Sequence, residues 1–474
     1  MTSEPTGQRR LHPAEIVLAA LDNVRELLIA AVAGLVVGGG ANSWSPVMAL
    51  LIGLAGAMVV LVVGYLRWST TLYWVAQDAV HLRTGIVSPD ETSVPLARIQ
   101  AIDTTQGPVQ RLFGVHELHV QTAGGGAKGE IVLRAVSEHA ARELRTAAGL
   151  AEPATRELPE WRLSAGGLVA AALTTPQIGV LLPLVGGLVA LFDDLLLTER
   201  GNSRLIDRLP DDPAGIALLG AALAAATLLV SFLGAVVAFS GFTLVRDGER
   251  LQIRRGLVQR RAASIPLGRV HAVEVVESLA RRPFGLAAVR VETAGYRSEA
   301  AAAQTLFPLV RLADLPALLA EFVPALAGTF APLEGPPARA RRRYALVPTL
   351  TGAALGAAVT LALGDAWPAI LVLAALGAAW GLLRHRSAGW RLDGRRVVVR
   401  QGALARRTLI ARSDRLQEHG LSASVLQSRA ELADVAVAVG SGRTGRVRHL
   451  ESDVAGQLFE RLRRARARLR PISS

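Results

Sequence analysis

The sequence of 474 residues contains no cysteine. That excludes disulfides, thiolate nucleophiles and Cys-ligated zinc or iron–sulfur centres. Lysine is almost as scarce: Lys128 stands alone beside 51 arginines. Aromatic residues make up only 4% of the chain, and none is interleaved with a basic stripe. The net charge of +13 is therefore not read as a nucleic-acid platform, which needs stacking surfaces among its cations. Charge itself is missing from six long runs: Leu27 to Trp44, Val47 to Leu66, Leu163 to Phe192, Ala214 to Val245, Tyr344 to Gly364 and Ala366 to Leu383. Most are close to the ~20 residues with which a helix crosses ~30 Å of hydrocarbon.

What is present is repetition. Val94 to Gly124 returns at Ile265 to Gly295, offset by 171 residues without a gap. Pro95, Leu96, Arg98, Ala101, Arg111, Phe113, Gly114, Val120, Thr122, Ala123 and Gly124 are identical between the copies. A worn third copy lies 317 residues from the first. Arg83, Gly85 and Arg98 meet Arg254, Gly256 and Arg269 in the second copy, and Arg400, Gly402 and Arg415 in the third. Gln100 and Gln110 meet Gln417 and Gln427. One unit used three times decides the architecture before any local motif is weighed.

The fold class expected is an α+β membrane protein: six transmembrane helices in three hairpins, each hairpin followed by a small β unit closed by a helix. The divisions are an amphipathic segment 1–26, a hairpin 27–66, a β unit 67–150, a hairpin with an acidic external loop 163–239, a β unit 240–323, a basic linker 324–343, a hairpin 344–383, and a divergent β unit with a basic tail 384–474. Within each β unit, short alternating runs broken by Gly, Pro and Asp read as antiparallel strands. Ser137 reads as the N-cap of a helix over 137–148, with closing helices also near 312–322 and 452–468. The 13–28 stretch is amphipathic, leading into the first span or lying on the bilayer.

Lys and Arg gather on the cytoplasmic side of spans. Segment 1–26 has three, the β segments with their flanks have 10, 16 and 20, and the connecting turns have only Arg200, Arg204 and Arg208. Both termini and all three β units are therefore expected in the cytoplasm of a bacterial plasma-membrane protein. Arginines beside an anionic leaflet each contribute ~1 kcal/mol of attraction.

Arg98, Arg269 and Arg415 follow a turn into a strand; each either contacts a lipid phosphate or acidic partner, or fixes the sheet within its own unit. Gly85, Gly256 and Gly402 read as turn glycines with positive φ. Gly124 to Gly129 lacks the phosphate-loop spacing and reads as a hairpin turn. His116 and His119, three apart in a strand, fall on opposite faces. No catalytic constellation, metal site or cofactor motif is read, so the chain is expected not to be an enzyme.

With RTG at Arg83 to Gly85, VPLARIQ at Val94 to Gln100, RLFG at Arg111 to Gly114 and VQTAG at Val120 to Gly124, the sequence resembles the bacterial pleckstrin-homology membrane proteins of the YdbS/YdbT type. The second copy keeps most of these, with RPFG at Arg282 to Gly285 and His271 in place of the glutamine. The resemblance implies PH-like β-sandwiches or barrels capped by a C-terminal helix, and an association with envelope stress or tolerance of membrane-active peptides. The expected function is a platform of three cytoplasmic PH-like domains, binding anionic lipid surfaces, a second copy or a membrane-protein partner. The alternative is translocation of a lipid or peptide through the six helices.

Overall fold

A computed structural model describes residues 8–21, 46–85, 88–122, 131–150, 158–174, 213–293, 305–328, 332–364, 367–440 and 443–467. Each repeat supplies six principal strands. The first has β1 (Leu72–Ala76), β2 (Ala79–Thr84), β3 (Asp90–Pro95), β4 (Ile99–Gln106), β5 (Val115–Thr122) and β6 (Ile131–Ser137). The second has β7 (Thr243–Asp247), β8 (Arg250–Arg255), β9 (Arg260–Pro266), β10 (Val270–Glu277), β11 (Leu286–Thr293) and β12 (Thr305–Arg311). The third has β13 (Gly389–Asp393), β14 (Arg396–Gly402), β15 (Arg406–Arg412), β16 (Leu416–Ser422), β17 (Leu432–Val439) and β18 (Thr444–Glu451).

The compact units do not follow the repeats. The first comprises Met1–Glu160 and Leu244–Pro266; the second comprises Trp161–Thr243 and Leu267–Ser474. The middle repeat is thus divided between its third and fourth strands.

In the first unit, β1, β2 and β3 form one sheet, and β6, β5, β4, β9 and β8 run side by side in another. The core joins Tyr73, Val80 and Val94 to Leu118, Val120, Ile131 and Leu133, and to Ala140, Ala141 and Leu144 of the closing helix Glu138–Ala147. Ser137 caps that helix, its side chain accepting from the Ala140 N–H at 3.3 Å. Residues 14–21 form the N-terminal helix. Ala14 is buried with Val115 and Ala135, with Leu18 packed against them, and the Trp68 indole donates to Leu11 O at 2.8 Å.

In the second unit the order is β12-β11-β10-β15-β14-β13, and β16-β17-β18 form a separate sheet. Trp390, Val397, Val399, Leu409, Val435, Val437 and Val447 pack with Leu458 and Leu462 of the closing helix Ser452–Ala467, and Ala272 of β10 joins this core. Each fourth strand carries a bulge at the same repeat position, between Ile99 and Ala101, Val270 and Ala272, and Leu416 and Glu418.

The expectation of six transmembrane helices needs correction. Among the described residues, two helices are long and apolar enough to cross a membrane, over Ala340–Leu361 and Pro368–Ser387. Only 11% and 6% of their most apolar windows is buried, unlike the core helix of a soluble protein. The other described apolar helical stretches, Met58–Thr70, Ala165–Thr174 and Ala225–Phe239, are of 10–17 residues. Met58–Thr70 and Ala225–Phe239 are the later parts of longer helices, Pro46–Thr70 and Pro213–Phe239, and Ala165–Thr174 runs to the edge of the described residues. The run 27–44, residues 193–212 of the acidic loop, Pro176, Pro183 and Gly124 to Gly129 lie outside the described residues. Two such helices among the described residues do not support a six-helix translocation path.

The two spanning-length helices, Ala340–Leu363 and Pro368–Ser387, are packed backbone to backbone. Each carries a G-x-x-x-G pair, Gly352/Gly356 and Gly377/Gly381. A Cβ added at these positions would overlap Leu373 O, the Ile370 backbone, Pro348 O and Tyr344 O respectively. Small residues at this spacing let two helices approach closely in lipid, where apolar burial supplies no drive of its own.

Candidate functional site

Gly85 and Gly256 follow β2 and β8, and Gly402 ends β14, with φ of 119°, 103° and 119°. A Cβ at each would collide with the carbonyl oxygen of Ser88, Gln259 or Ala405. The turn into every third strand therefore requires glycine. Arg98, Arg269 and Arg415 each close a single 3₁₀ turn, Leu96–Arg98, Leu267–Arg269 and Ser413–Arg415, between the third and fourth strands. Arg98 and Arg415 are exposed and Arg269 half-buried. Arg83 faces Glu91 across β2 and β3, and Arg254 faces Ala262 across β8 and β9. Arg400 donates from Nε to Ser387 O at 2.9 Å, tying β14 to the end of the second spanning-length helix. The nine recurring residues thus lie at strand ends and turns of each repeat and converge on no common pocket.

What the repeats share beyond these residues is a junction. β4 pairs antiparallel with β9, Thr104 opposite Ala262, over three aligned pairs. β10 pairs with β15, Val275 opposite Thr408, over six. Thr104 and Val275 are counterparts in the repeat, and so are Ala262 and Thr408. The fourth strand of one repeat therefore takes the third strand of the next as a neighbour, twice and in the same register. Two strands of this kind have one partner each among the described residues: β3, paired only with β2, and β16, paired only with β17. A strand edge with free N–H and C=O groups is a template for a further strand.

The open edges differ in charge from the closed ones. β9 and β15 begin with Arg260-Arg261 and Arg406-Arg407, and Glu277 of β10 lies opposite Arg406. β3 begins instead with Asp90-Glu91. Ser422 of β16 accepts from Arg446 at 3.5 Å, which places a guanidinium beside that edge.

A polar turn precedes β5, β11 and β17. Gln110 bridges the Gly107 N–H and Glu117, and Gln427 bridges the Ser424 N–H and Asp434. The middle repeat has Arg281 and Ala288 at these positions. Arg281, buried and pushed down to about 10, donates from Nε to Thr174 Oγ1 at 2.9 Å. Asp434, nearly inaccessible, also accepts from the His449 N–H at 2.9 Å and pairs with Arg446 at 2.8 Å. Burial holds the His449 imidazole below its usual range, opposed by Asp434 and reinforced by Arg448, Arg343 and Arg384.

Among the described residues, cavities lie within single units. One of about 240 Å³, in the first unit, is lined by Arg145, Asp247, Glu249, Arg250, Arg254 and neighbours. In the second unit, one of about 300 Å³ has Glu277, Arg391, Arg396, Arg400 and Arg406 in its wall. Another, of about 270 Å³, sits among Tyr344, Arg384, Ala388, Gln401, Gly402, Thr444, Arg446 and Arg448.

Strand sharing was not read from the sequence, although the gapless 171-residue offset and the change from Arg-Arg to Asp-Glu were there to be seen. The paired G-x-x-x-G spacings were equally visible.

A family model described as the bacterial PH domain matches this chain three times, over residues 18–150, 204–322 and 346–466. A relative from Bacillus subtilis (strain 168), UPF0699 transmembrane protein YdbT, is 25% identical over 405 residues, covering 79% of this chain and 81% of the relative.

Proposed function

The chain belongs to the bacterial PH domain family, and from that premise we propose that it is a non-enzymatic, membrane-anchored scaffold whose copies join end to end through their open PH-like strands. The observation that carries this reading is the repeated junction. A fourth strand accepts a third strand twice within the chain, in one register, and among the described residues one strand of either kind stays open. Continuing that register sets Leu421 of β16 opposite Glu91 of β3 from a second copy, and Ser422 opposite Asp90, close to Arg446. The acidic start of β3 and the guanidinium beside β16 complement one another. They also reverse the polarity of the internal β10–β15 junction, which helps to keep external pairing distinct from internal pairing. A heterologous contact of this type propagates as an open array unless its rotation closes a ring. The helices Ala340–Leu363 and Pro368–Ser387 anchor such an array, and its basic faces favour an anionic cytoplasmic leaflet.

The test uses the natural absence of cysteine. Glu91→Cys and Leu421→Cys are placed together in the full chain in membranes, with Thr92→Cys plus Leu421→Cys as an off-register control. Oxidation should give a ladder of intermolecular disulfides with the first pair and little with the second. No ladder, an equal ladder from the control, or a solely intramolecular bond would overturn the reading.

A further inference from the structure

The cavity of about 270 Å³ lies at one end of the spanning-length helix pair. Tyr344 is in the first turns of one helix and Arg384 in the last turn of the other. The remaining wall comes from Gln401 and Gly402, ending β14, and from Thr444, Arg446 and Arg448 of β18. This wall is tied together. Tyr344 Oη donates to Arg448 O at 2.9 Å, and the Gln401 side chain donates to Thr444 O and accepts from the Arg446 N–H, both at 3.1 Å.

The charge in it is unbalanced. Three guanidiniums and no carboxylate line the cavity. Asp434, the carboxylate that pairs with Arg446, is also engaged by Gln427 and the His449 N–H. Arg384 and Arg448 are half-buried, repel each other, and have no hydrogen bond or ion pair from their side chains among the described residues. A helix C-terminus and the cytoplasmic end of a span both favour arginine, which accounts for a basic residue at 384. Neither accounts for its being turned towards a second arginine inside a cavity. Holding two such cations together is costly unless an anion completes the site. A guanidinium offers paired N–H donors that match phosphate oxygens in bidentate fashion.

We propose that this cavity is a phosphate-binding site, with Arg384 and Arg448 as its principal ligands and Arg446 at its rim. The phosphate comes either from the head group of an anionic lipid at the membrane surface or from a free phosphate. The lipid source rests on these helices crossing the membrane; the phosphate chemistry does not depend on end-to-end assembly.

The experiment uses the full chain in detergent. Native mass spectrometry measures retention of phosphatidylglycerol against phosphatidylcholine, and thermal unfolding compares inorganic phosphate with chloride. Arg384→Gln with Arg448→Gln should lower phosphatidylglycerol retention by on the order of tenfold, given the strength of charge-assisted hydrogen bonds. The charge-matched pair Arg461→Gln with Arg464→Gln, on the closing helix, should change it by less than about twofold, as expected for exposed charges. Arg384→Lys with Arg448→Lys should fold as the parent does and recover only part of the binding. Stabilisation by phosphate without lipid retention, abolished by the Gln pair, would assign the soluble source. No response to either, or an equal loss in the Arg461 and Arg464 control, would overturn the proposal. Disulfide formation between Glu91→Cys and Leu421→Cys, measured in the Gln variant, keeps failure of this site separate from failure of strand-edge assembly.

Discussion

β10 and β16 occupy the same place in successive repeats and live in different surroundings. β10, VHAVEVVE, has neighbours on both edges and buries six of its eight residues. β16, LQEHGLS, has one neighbour and buries only Leu416. Strands closed on both edges read as nearly continuous apolar runs, whereas an edge strand tolerates charge and glycine. The difference teaches that the fourth strand's composition reports whether a third strand lies along its other edge. β4, IQAIDTTQ, with only three aligned pairs to β9, falls between the two.

The largest effect should come from placing a charge at matched positions. Val275→Asp would bury a carboxylate where the side chain is 2% exposed and should destabilise the second unit by about 3 kcal/mol or more. Leu421→Asp, its counterpart at 43% exposure, should change stability by less than about 0.5 kcal/mol while suppressing disulfide formation between copies. Denaturant titration of both checks the contrast, and equal losses would erase it.

A second test strains the turn that feeds each junction. Gly402→Ala leads into β15, which is held on both sides, and should cost about 1–3 kcal/mol from forced positive φ and the clash with Ala405 O. Gly85→Ala forces the same strain, but β3 is held on one side only and can shift, so the loss should be smaller. Thermal unfolding of the two variants ranks them.

The smallest effect concerns the bulge residue, which is His271 in β10 but Gln100 in β4 and Gln417 in β16. Burial holds the His271 imidazole below its ordinary 6.5, and the charges of Arg415, Arg412 and Arg269 add to this against Asp414. The folded state therefore favours neutral His271 more than the unfolded state does. Its contribution is intact above about pH 6.5 and is lost as pH falls through that value, until the folded imidazole also takes up a proton. His271→Gln should leave stability at pH 7.5 nearly unchanged and flatten the decline between about pH 7 and 5. An identical decline in parent and variant would assign the acid sensitivity to other groups.

Much of the unit was legible because its signals are local. Gly85, Gly256 and Gly402 announced positive φ; Ser137 announced its cap; alternation announced strands. Spans were counted from freedom from charge alone, and among the described residues two helices support that count. Gly34 and Gly38 share the spacing, but only the hairpin with Gly352/Gly356 and Gly377/Gly381 has it in both of its uncharged runs, a sign of helix-to-helix approach that hydropathy does not measure. Strand sharing was hidden for a different reason. Period-two patterning tells which face of a strand is buried and is silent about who lies along its edge. The arginine-lined cavity was hidden likewise: Arg384 and Arg448 are 64 positions apart in sequence, and only the folded β18 brings them to one wall.

The offset between repeats and compact units also sets an order for protein synthesis. The last residues of the first unit, Leu244–Pro266, are translated after Trp161–Thr243, which belongs to the second. A ribosome that has just finished Pro266 has delivered the whole first unit while part of the second still waits for the remaining chain. A nascent polypeptide halted between Phe239 and Leu244 would leave β4 with one edge bare, so the middle repeat is the point at which translation changes from completing one body to completing the other.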